Sequence, residues 1–364
     1  MSIRKIFIAH SWSDVGINMQ TKAVAKKLSE TSKVMYLTQA RTGKPELNVN
    51  DNLIVAEWPN KRPNSVKDFF FICKKIIREK PDVFIAHFGA TNMSMIAAWL
   101  LRVRYRICWI HTMTEQIHFD VKEKAKADKI IKRRKRIYAL VTHVVVLNEY
   151  GRSDAAINYL IPEKKIFKIY NGISAAGITS GEKKYKSIRY SGRLDNSKGV
   201  DILIRAFSKV YQRDKEVRLE IAGKGDEEES LRALVQSEQL NNAVIFHGYF
   251  DHYEKALQFI SEAWCLVVPS RIDNFPTVIL EAFAAGVPVI ACNAGGIPDM
   301  LQNEKEGFLV ETENIEALAT AILKMISDCV SRNSFALQAK KTFEEKFRME
   351  RHVESVVEFL KELK

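Results

Sequence analysis

The sequence is poor in the features that would place it in several large protein classes. None of its 364 residues falls in an apolar run of the ~18 or more that a membrane-spanning helix requires. It has five cysteines, Cys73, Cys108, Cys265, Cys292 and Cys329. They are scattered, odd in number and without metal-binding spacing, which excludes a disulfide framework and a zinc module. They read as reduced core residues of a cytosolic protein. No Asp-x-Asp pair stands in a loop suited to a metal–diphosphate site. Repeats and low-complexity segments are absent. The start of the chain passes from Arg4-Lys5 straight into IFIAH, which is too short for a signal peptide and suits a first strand.

Acids are scarce in one half only. Residues 1–172 hold 31 lysines and arginines against 15 aspartates and glutamates, a balance of +16. Residues 173–364 hold 25 against 29, a balance of −4, so the first half carries the whole basic excess of +12. That asymmetry calls for an anionic partner on the first half, a membrane surface, a lipid phosphate or nucleic acid. The excess peaks in 120–136 (DVKEKAKADKIIKRRKR), with nine basic residues against three acids and an unbroken run Lys132, Arg133, Arg134, Lys135, Arg136. A solvated helix face is the plainest reading of such a stretch. A run of five exceeds what solubility needs, and polybasic clusters gain about 1 kcal/mol per charge at an anionic lipid surface. Aromatics that would stack on bases are not interleaved with these charges, which argues against nucleic acid.

What is present is a regular alternation. Short apolar runs, each long enough for one buried strand, alternate with segments of helical spacing, which predicts an α/β protein with parallel sheets. Strands are expected at Lys5 to Ala9, Val34 to Thr38, Leu53 to Trp58, Val83 to His87 and Ile107 to Ile110. More are expected at Val141 to Leu147, Ile166 to Ile169, Ile188 to Ser191, Arg218 to Ala222, Val244 to Phe246, Trp264 to Val268 and Val287 to Cys292. In open α/β sheets, ligands sit beyond the carboxyl ends of strands. His87 and His111 fall at such ends and are candidates. A polar linker, Ser174 to Ser187, separates two such halves.

Two motifs in the second half carry chemistry. The first is Gly192-Arg193-Leu194 leading to Lys198-Gly199. A guanidinium and an ammonium five residues apart on one loop, with a helix beginning behind them, can meet the charge of a diphosphate leaving group. The second is Pro269 to Pro298, PSRIDNFPTVILEAFAAGVPVIACNAGGIP. It reads as a loop, a helix with Thr277 as its cap and Glu281 in its early turns, a stop at Gly286, a strand and a Gly-rich loop. The bare amides of that last loop could face an anion.

Together these motifs closely resemble the signature of the family-4 retaining glycosyltransferases. There an acid, Gly-Phe-Pro, Glu-Ala, Gly-x-Pro-Val and Gly-Gly-x-Pro-Glu follow in order. Asp273 and Glu281 keep the spacing of the two acids, with Asp273 in place of Glu, Asn274 in place of Gly and Asp299 in place of the final Glu. Asn171-Gly172-Ile173 resembles the family's hinge, with Ser174 in place of Asp. His111-Thr112 stands where the family has His-Asp, and only Gly16 remains of the family's double Gly near the N-terminus.

The resemblance implies the GT-B fold: two Rossmann-like, doubly wound parallel-sheet domains facing a central cleft. An acceptor-binding domain would span 1–172 and a nucleotide-sugar domain 173–345, with a helix in 346–364 crossing back. It implies a retaining, metal-independent hexosyltransferase that moves a sugar from a nucleotide donor, UDP-linked by preference, to a glycolipid or polysaccharide precursor of the bacterial surface. The catalytic set would be His111, Asp273, Arg193 and Lys198. Donor contacts would come from Gly16, Gly192, Arg193, Lys198, Asn274, Phe275, Pro276 and Glu281. Lys132 to Arg136 would meet the acceptor or an anionic membrane. No cofactor, metal or nucleic acid is expected, and the place of action would be the cytoplasm or the inner membrane face. The rival readings are another enzyme of this fold, such as a nucleotide-sugar epimerase or a phosphorylase, and a non-catalytic sugar-nucleotide binder.

Overall fold

The computed structural model describes residues 5–13, 17–39, 46–60, 63, 65–121, 123–178, 181, 183 and 185–363. It divides into two compact units, Met1–Asn171 with Met349–Lys364, and Gly172–Arg348.

The first unit is built on an eight-stranded sheet. Its strands are β1 (Lys5–Ala9), β2 (Lys33–Gln39), β3 (Glu46–Asn50), β4 (Leu53–Trp58), β5 (Val83–His87), β6 (Tyr105–Trp109), β7 (His143–Val146) and β8 (Ile166–Lys168). Their order is β3-β4-β2-β1-β5-β6-β7-β8, parallel throughout except for the β3–β4 pair. Helices on both faces explain why the central strands are continuous apolar runs. Phe7, Leu37, Phe84, Cys108 and Val144 pack with Ile72, Ile76 and Ala97 into one core. The helix Val66–Glu79 opens on a reciprocal cap: Asp68 N–H donates to Ser65 Oγ, and Asp68 accepts from Ser65 N–H at 3.0 Å. The last helix, Met349–Glu362, packs within this unit on the helix Ile17–Leu28, and His352 Nδ1 donates to the Tyr170 carbonyl at 2.7 Å.

The second unit has six strands, all parallel: β9 (Ser187–Ser191), β10 (Arg218–Ala222), β11 (Val244–Gly248), β12 (Cys265–Val268), β13 (Val289–Cys292) and β14 (Gly307–Val310). The order β11-β10-β9-β12-β13-β14 makes β9 and β12 the pair at which the winding reverses. Loops leaving the carboxyl ends of such a pair diverge and leave a crevice for ligand. In the first unit the reversal falls between β1 and β5.

Two strands escaped the sequence reading. β3 (ELNVN) is an edge strand with exposed Leu47 and Val49, so it has no apolar run to betray it. β14 (GFLV) has only three apolar residues behind a glycine. Three local expectations are also corrected, the first being that all five cysteines are core residues: Cys329 is exposed and Cys73 half-buried. Thr277 is the first residue of its helix, and the cap position is Pro276, which has no side-chain donor or acceptor to offer. Glu281 lies beyond the first turn of that helix, so the helix dipole is not what governs it.

Candidate active site

In the second unit the crevice is shaped by the loops after β9 and β12. β9 ends at Ser191, and the Tyr190 hydroxyl donates to the Arg193 carbonyl at 2.6 Å. Asp195 then accepts from Ser197 N–H at 3.0 Å and closes a 3-10 turn, Asn196–Lys198. Gly199 follows at φ 63°, and a Cβ there would lie 2.1 Å from the Pro269 carbonyl oxygen. Only glycine lets the two loops touch. Gly223 does the same for the neighbouring loop, where a Cβ would sit 1.7 Å from the Gly192 oxygen. Its Gly-x-Gly therefore serves close packing.

This turn delivers Lys198 to Asp273. Lys198 Nζ and Asp273 Oδ2 are 2.5 Å apart, and each side chain is 15% exposed. Arg193 stands further out, 62% exposed, with Nη1 3.0 Å from Asp195 Oδ2. The Asp273 segment is pinned from several sides. Arg271 forks onto Asp201 with two contacts of 2.8 Å, and its backbone N–H donates to the Ser197 carbonyl at 2.9 Å. The Gly296 N–H donates to the Asp273 carbonyl at 2.9 Å. That amide of the Gly-rich loop is thus spent on holding Asp273 rather than left for an anion. Asn274, Phe275 and Pro276 are buried, with Phe275 edge-on to Phe347. Among the described residues, no group of three or more His, Cys, Asp or Glu could hold a metal ion.

Glu281 lies on the following helix, and the Tyr253 hydroxyl donates to its Oε1 at 3.2 Å. The residue keeps some solvent-exposed surface, but protein atoms crowd its carboxylate and burial pushes the pKa from an ordinary 4.5 up to about 7. The folded chain therefore holds this proton more tightly than the unfolded chain between those values, and stability falls as pH rises through that window. Glu281→Gln removes the cost of burying the charge. It is expected to stabilise the free protein at pH 8 by about 1–3 kcal/mol and hardly at all at pH 4.5. Denaturant melts at the two pH values measure this, and equal or lower stability of the variant at pH 8 refutes it.

In the first unit, strand ends gather aromatic and imidazole rings. His10 follows β1, His87 ends β5 and His111 comes just after β6. The His87 ring stacks on His10 and on Trp109, with centroids 4.7 and 4.9 Å away. His87 Nδ1 is 3.1 Å from His111 Nε2, so one of the two donates and the other accepts. Phe88, at φ 46°, lies flat on His111 at 3.9 Å. A bulky residue in that backbone region is strained and is held there by its surroundings. Burial lowers His10 to about 4 and takes His87 and His111 well below their ordinary value. All three rings are therefore neutral at pH 7. His111 is suited to hydrogen bonding a substrate and unsuited to neutralising a charge.

The basic run lies on one helix, Lys124–Tyr138. Lys132 to Arg136 do not form one solvated face. Lys132, Arg133 and Arg136 are exposed, while Arg134 and Lys135 are half-buried. Arg134 turns inward and donates from Nη1 to the Thr112 carbonyl at 3.2 Å. Arg133 and Arg134 line a cavity of about 190 Å³ with Phe88, Gly89, His111 and Thr112. Gly16 lies outside the described residues.

Arg193, Lys198, Gly192, Asp273, Asn274, Phe275, Pro276 and Glu281 thus stand on loops and a helix of the second unit, and His111 with Arg133 and Arg134 in the first. The sequence reading did not single out His10, Phe88, Tyr253 or Arg271. His10 directly follows the first strand, so the argument from strand ends could have found it. Tyr253 and Arg271 carry no local signal, because their partners are distant in sequence.

Comparison with known proteins accords with this geometry. The profile of the glycosyl transferases group 1 matches residues 178–342, and that of glycosyltransferase family 4 matches residues 16–176. A solved structure of Anabaena HepE in complex with UDP superposes over 99% of this chain and 100% of its own, with a TM-score of 0.79 at 18% identity. The chain belongs to the family-4-type GT-B glycosyltransferases. An uncharacterized glycosyltransferase of Haemophilus influenzae is 25% identical to this glycosyltransferase over 88% of this chain and 90% of its own length. The capsular polysaccharide biosynthesis glycosyltransferase CapM of Staphylococcus aureus is 26% identical over 83% of each. A relative in Methanocaldococcus jannaschii matches at 29% over only 56% of either chain. No helix among the described residues is long and apolar enough to cross a membrane.

Proposed function

We propose that this glycosyltransferase takes a UDP-sugar, transfers the sugar with retention and without a metal ion, and acts in bacterial surface-glycan synthesis on a glycolipid or polysaccharide precursor. The observation that carries the proposal is the Lys198–Asp273 pair, locked at the winding reversal between β9 and β12. An ammonium has three donors, so Lys198 can serve a diphosphate oxygen while still holding Asp273. Arg193, 62% exposed, supplies the second positive charge. Asp273 and the buried Asn274–Pro276 backbone bind the sugar hydroxyls, Glu281 accepts from the ribose, and neutral His111 hydrogen-bonds near the transferring sugar.

The acceptor hydroxyl oxygen bonds to the anomeric carbon as the bond to the diphosphate oxygen breaks. The hydroxyl proton passes to the departing phosphate on the same face. Lys198 and Arg193 stabilise the charge that develops there, the role a metal has in other enzymes. The UDP and UDP-glucose complexes of HepE support the choice of donor, and CapM supports the pathway class. The acceptor belongs to the first unit, where the basic excess lies. Lys129, Lys132 and Arg136 recur at helical spacing on the exposed side of their helix and offer an anionic membrane surface a place to bind from the cytoplasmic side.

A thermal-shift panel of UDP, GDP and dTDP in excess EDTA tests the donor and the metal together. UDP is expected to raise the midpoint most, because it binds only the folded state. NMR of the sugar released by slow hydrolysis of the UDP-sugar is expected to show the donor's own anomer first. A shift that requires Mg²⁺ or Mn²⁺, or an inverted first product, overturns the proposal.

A further inference from the structure

We propose that the cavity beside His111 is a subsite for a phosphate group, so that the acceptor carries a phosphate ester. This rests on the reading above that the first unit binds the acceptor. Position on the helix is the first observation. Ala127, Ile131, Arg134 and Tyr138 recur at spacings of four, three and four residues, which places them on one face. Ala127 and Tyr138 are buried there, and Ile131 packs on the core. Arginine at a core-facing position is costly unless its charge is met. Arg134 has no ion pair among the described residues. It donates to the neutral Thr112 carbonyl, and the Tyr159 hydroxyl beside it is neutral as well. The carboxylate of Asp154, which acts on Tyr138 and Tyr159 as Arg134 does, forms no ion pair with Arg134 and accepts from Thr114 N–H at 3.1 Å and from Asn158 Nδ2 at 2.7 Å.

The lining of the cavity is the second observation. Arg133 and Arg134 share it with Thr91, Thr112 and Asn92, and among the described residues no acid lines it. A guanidinium presents a planar fork of donors that matches phosphate oxygens, and two of them match a dianion better than a single carboxylate. His111 stays neutral beside them, so it adds a hydrogen bond and no charge. The exposed stripe of Lys129, Lys132 and Arg136 points away from this face of the helix. A surface contact and the phosphate subsite are therefore separable by mutation.

The phosphate can come from a soluble ester or from a lipid head group, and the experiment has an arm for each. The full chain is saturated with UDP, which fills the diphosphate site of the second unit. It is then titrated calorimetrically with glycerol 3-phosphate and with glycerol. In the second arm it is mixed with phosphatidylcholine vesicles with and without phosphatidic acid. Glycerol 3-phosphate is expected to bind and glycerol not. Arg134→Gln is expected to weaken that binding about tenfold or more, since contacts to charged groups are the strong ones. Arg133→Gln weakens it less, and Arg134→Lys keeps part of it. UDP affinity, measured alongside, stays unchanged in all three and reports that they fold. Neutralising Lys129, Lys132 and Arg136 together should lower vesicle binding and leave glycerol 3-phosphate untouched. If Arg134→Gln also abolishes the preference for phosphatidic acid, the source is a lipid; if only the soluble probe responds, it is a soluble ester. No binding of glycerol 3-phosphate, or equal binding by the wild type and both glutamine variants, overturns the subsite. If the wild type fails to bind UDP while phosphate binding still depends on Arg134, the donor reading fails and the subsite stands.

Discussion

Lys198→Ala is expected to cut turnover by about two to three orders of magnitude, and Arg193→Ala by about tenfold, with UDP weakened in both. The difference follows from where the two cations stand. Lys198 is largely buried and fixed by Asp273, so its charge is already in place when the leaving group departs. Preorganised charge of this kind costs no reorganisation during the reaction, and deleting one such donor typically loses about 10²–10³ in rate. Arg193 is mostly exposed and must be drawn from solvent and from Asp195. A screened, mobile charge gives less. Lys198→Arg should recover little, because a planar guanidinium does not fit a space shaped around an ammonium held at 2.5 Å from its partner. Steady-state kinetics and UDP titrations of the three variants decide the matter. Equal losses at Arg193 and Lys198, or none, remove Lys198 from the centre of the mechanism.

Asp273→Ala and Glu281→Ala are expected to fail in opposite ways. Asp273→Ala should depress transfer by more than about a hundredfold, because a site built to hydrogen-bond hydroxyls pays heavily for an unpaired one. UDP lacks the sugar, so its affinity should hold or rise, since the variant leaves the Lys198 charge without its carboxylate. Asp273→Glu should keep part of the activity or change the preferred sugar, because the added methylene moves the carboxylate against a loop already tied down by Arg271 and Gly296. Glu281→Ala should instead weaken UDP about tenfold or more through the ribose. The Tyr253 hydroxyl, which donates to Glu281 in the free protein, would then lose its acceptor. UDP affinity in the wild type should climb as pH rises through about 7, where Glu281 ionises and becomes the better acceptor. If Asp273→Ala loses UDP and Glu281→Ala keeps it, the two acids have each other's roles.

The α/β class and the positions of twelve strands were legible from the sequence, because a strand buried on both faces must be an apolar run and a loop that touches another backbone must contain glycine. Lys5–Ala9, Leu53–Trp58 and Arg218–Ala222 were read to the residue. Part of the candidate site was legible for the same reason. Gly199 answers to such a backbone demand, since a Cβ there would meet the Pro269 carbonyl oxygen. What involves partners far apart in the chain was decided by tertiary structure alone. Lys198 and Asp273 are 75 residues apart, and only the adjacency of β9 and β12 turns two charges into one ion pair. Glu281 looked like an acid near a helix start. Its pKa of about 7 comes from the atoms that crowd it and from no feature of its own segment. Arg134 is the sharpest case. In sequence it is one of five like charges, indistinguishable from its neighbours. Helical phase decides which of the five points inward, and the phase is set by Ala127, Ile131 and Tyr138 finding the core. A charge pattern records how many cations a segment carries, and packing determines which of them turns from solvent toward the cavity beside His111.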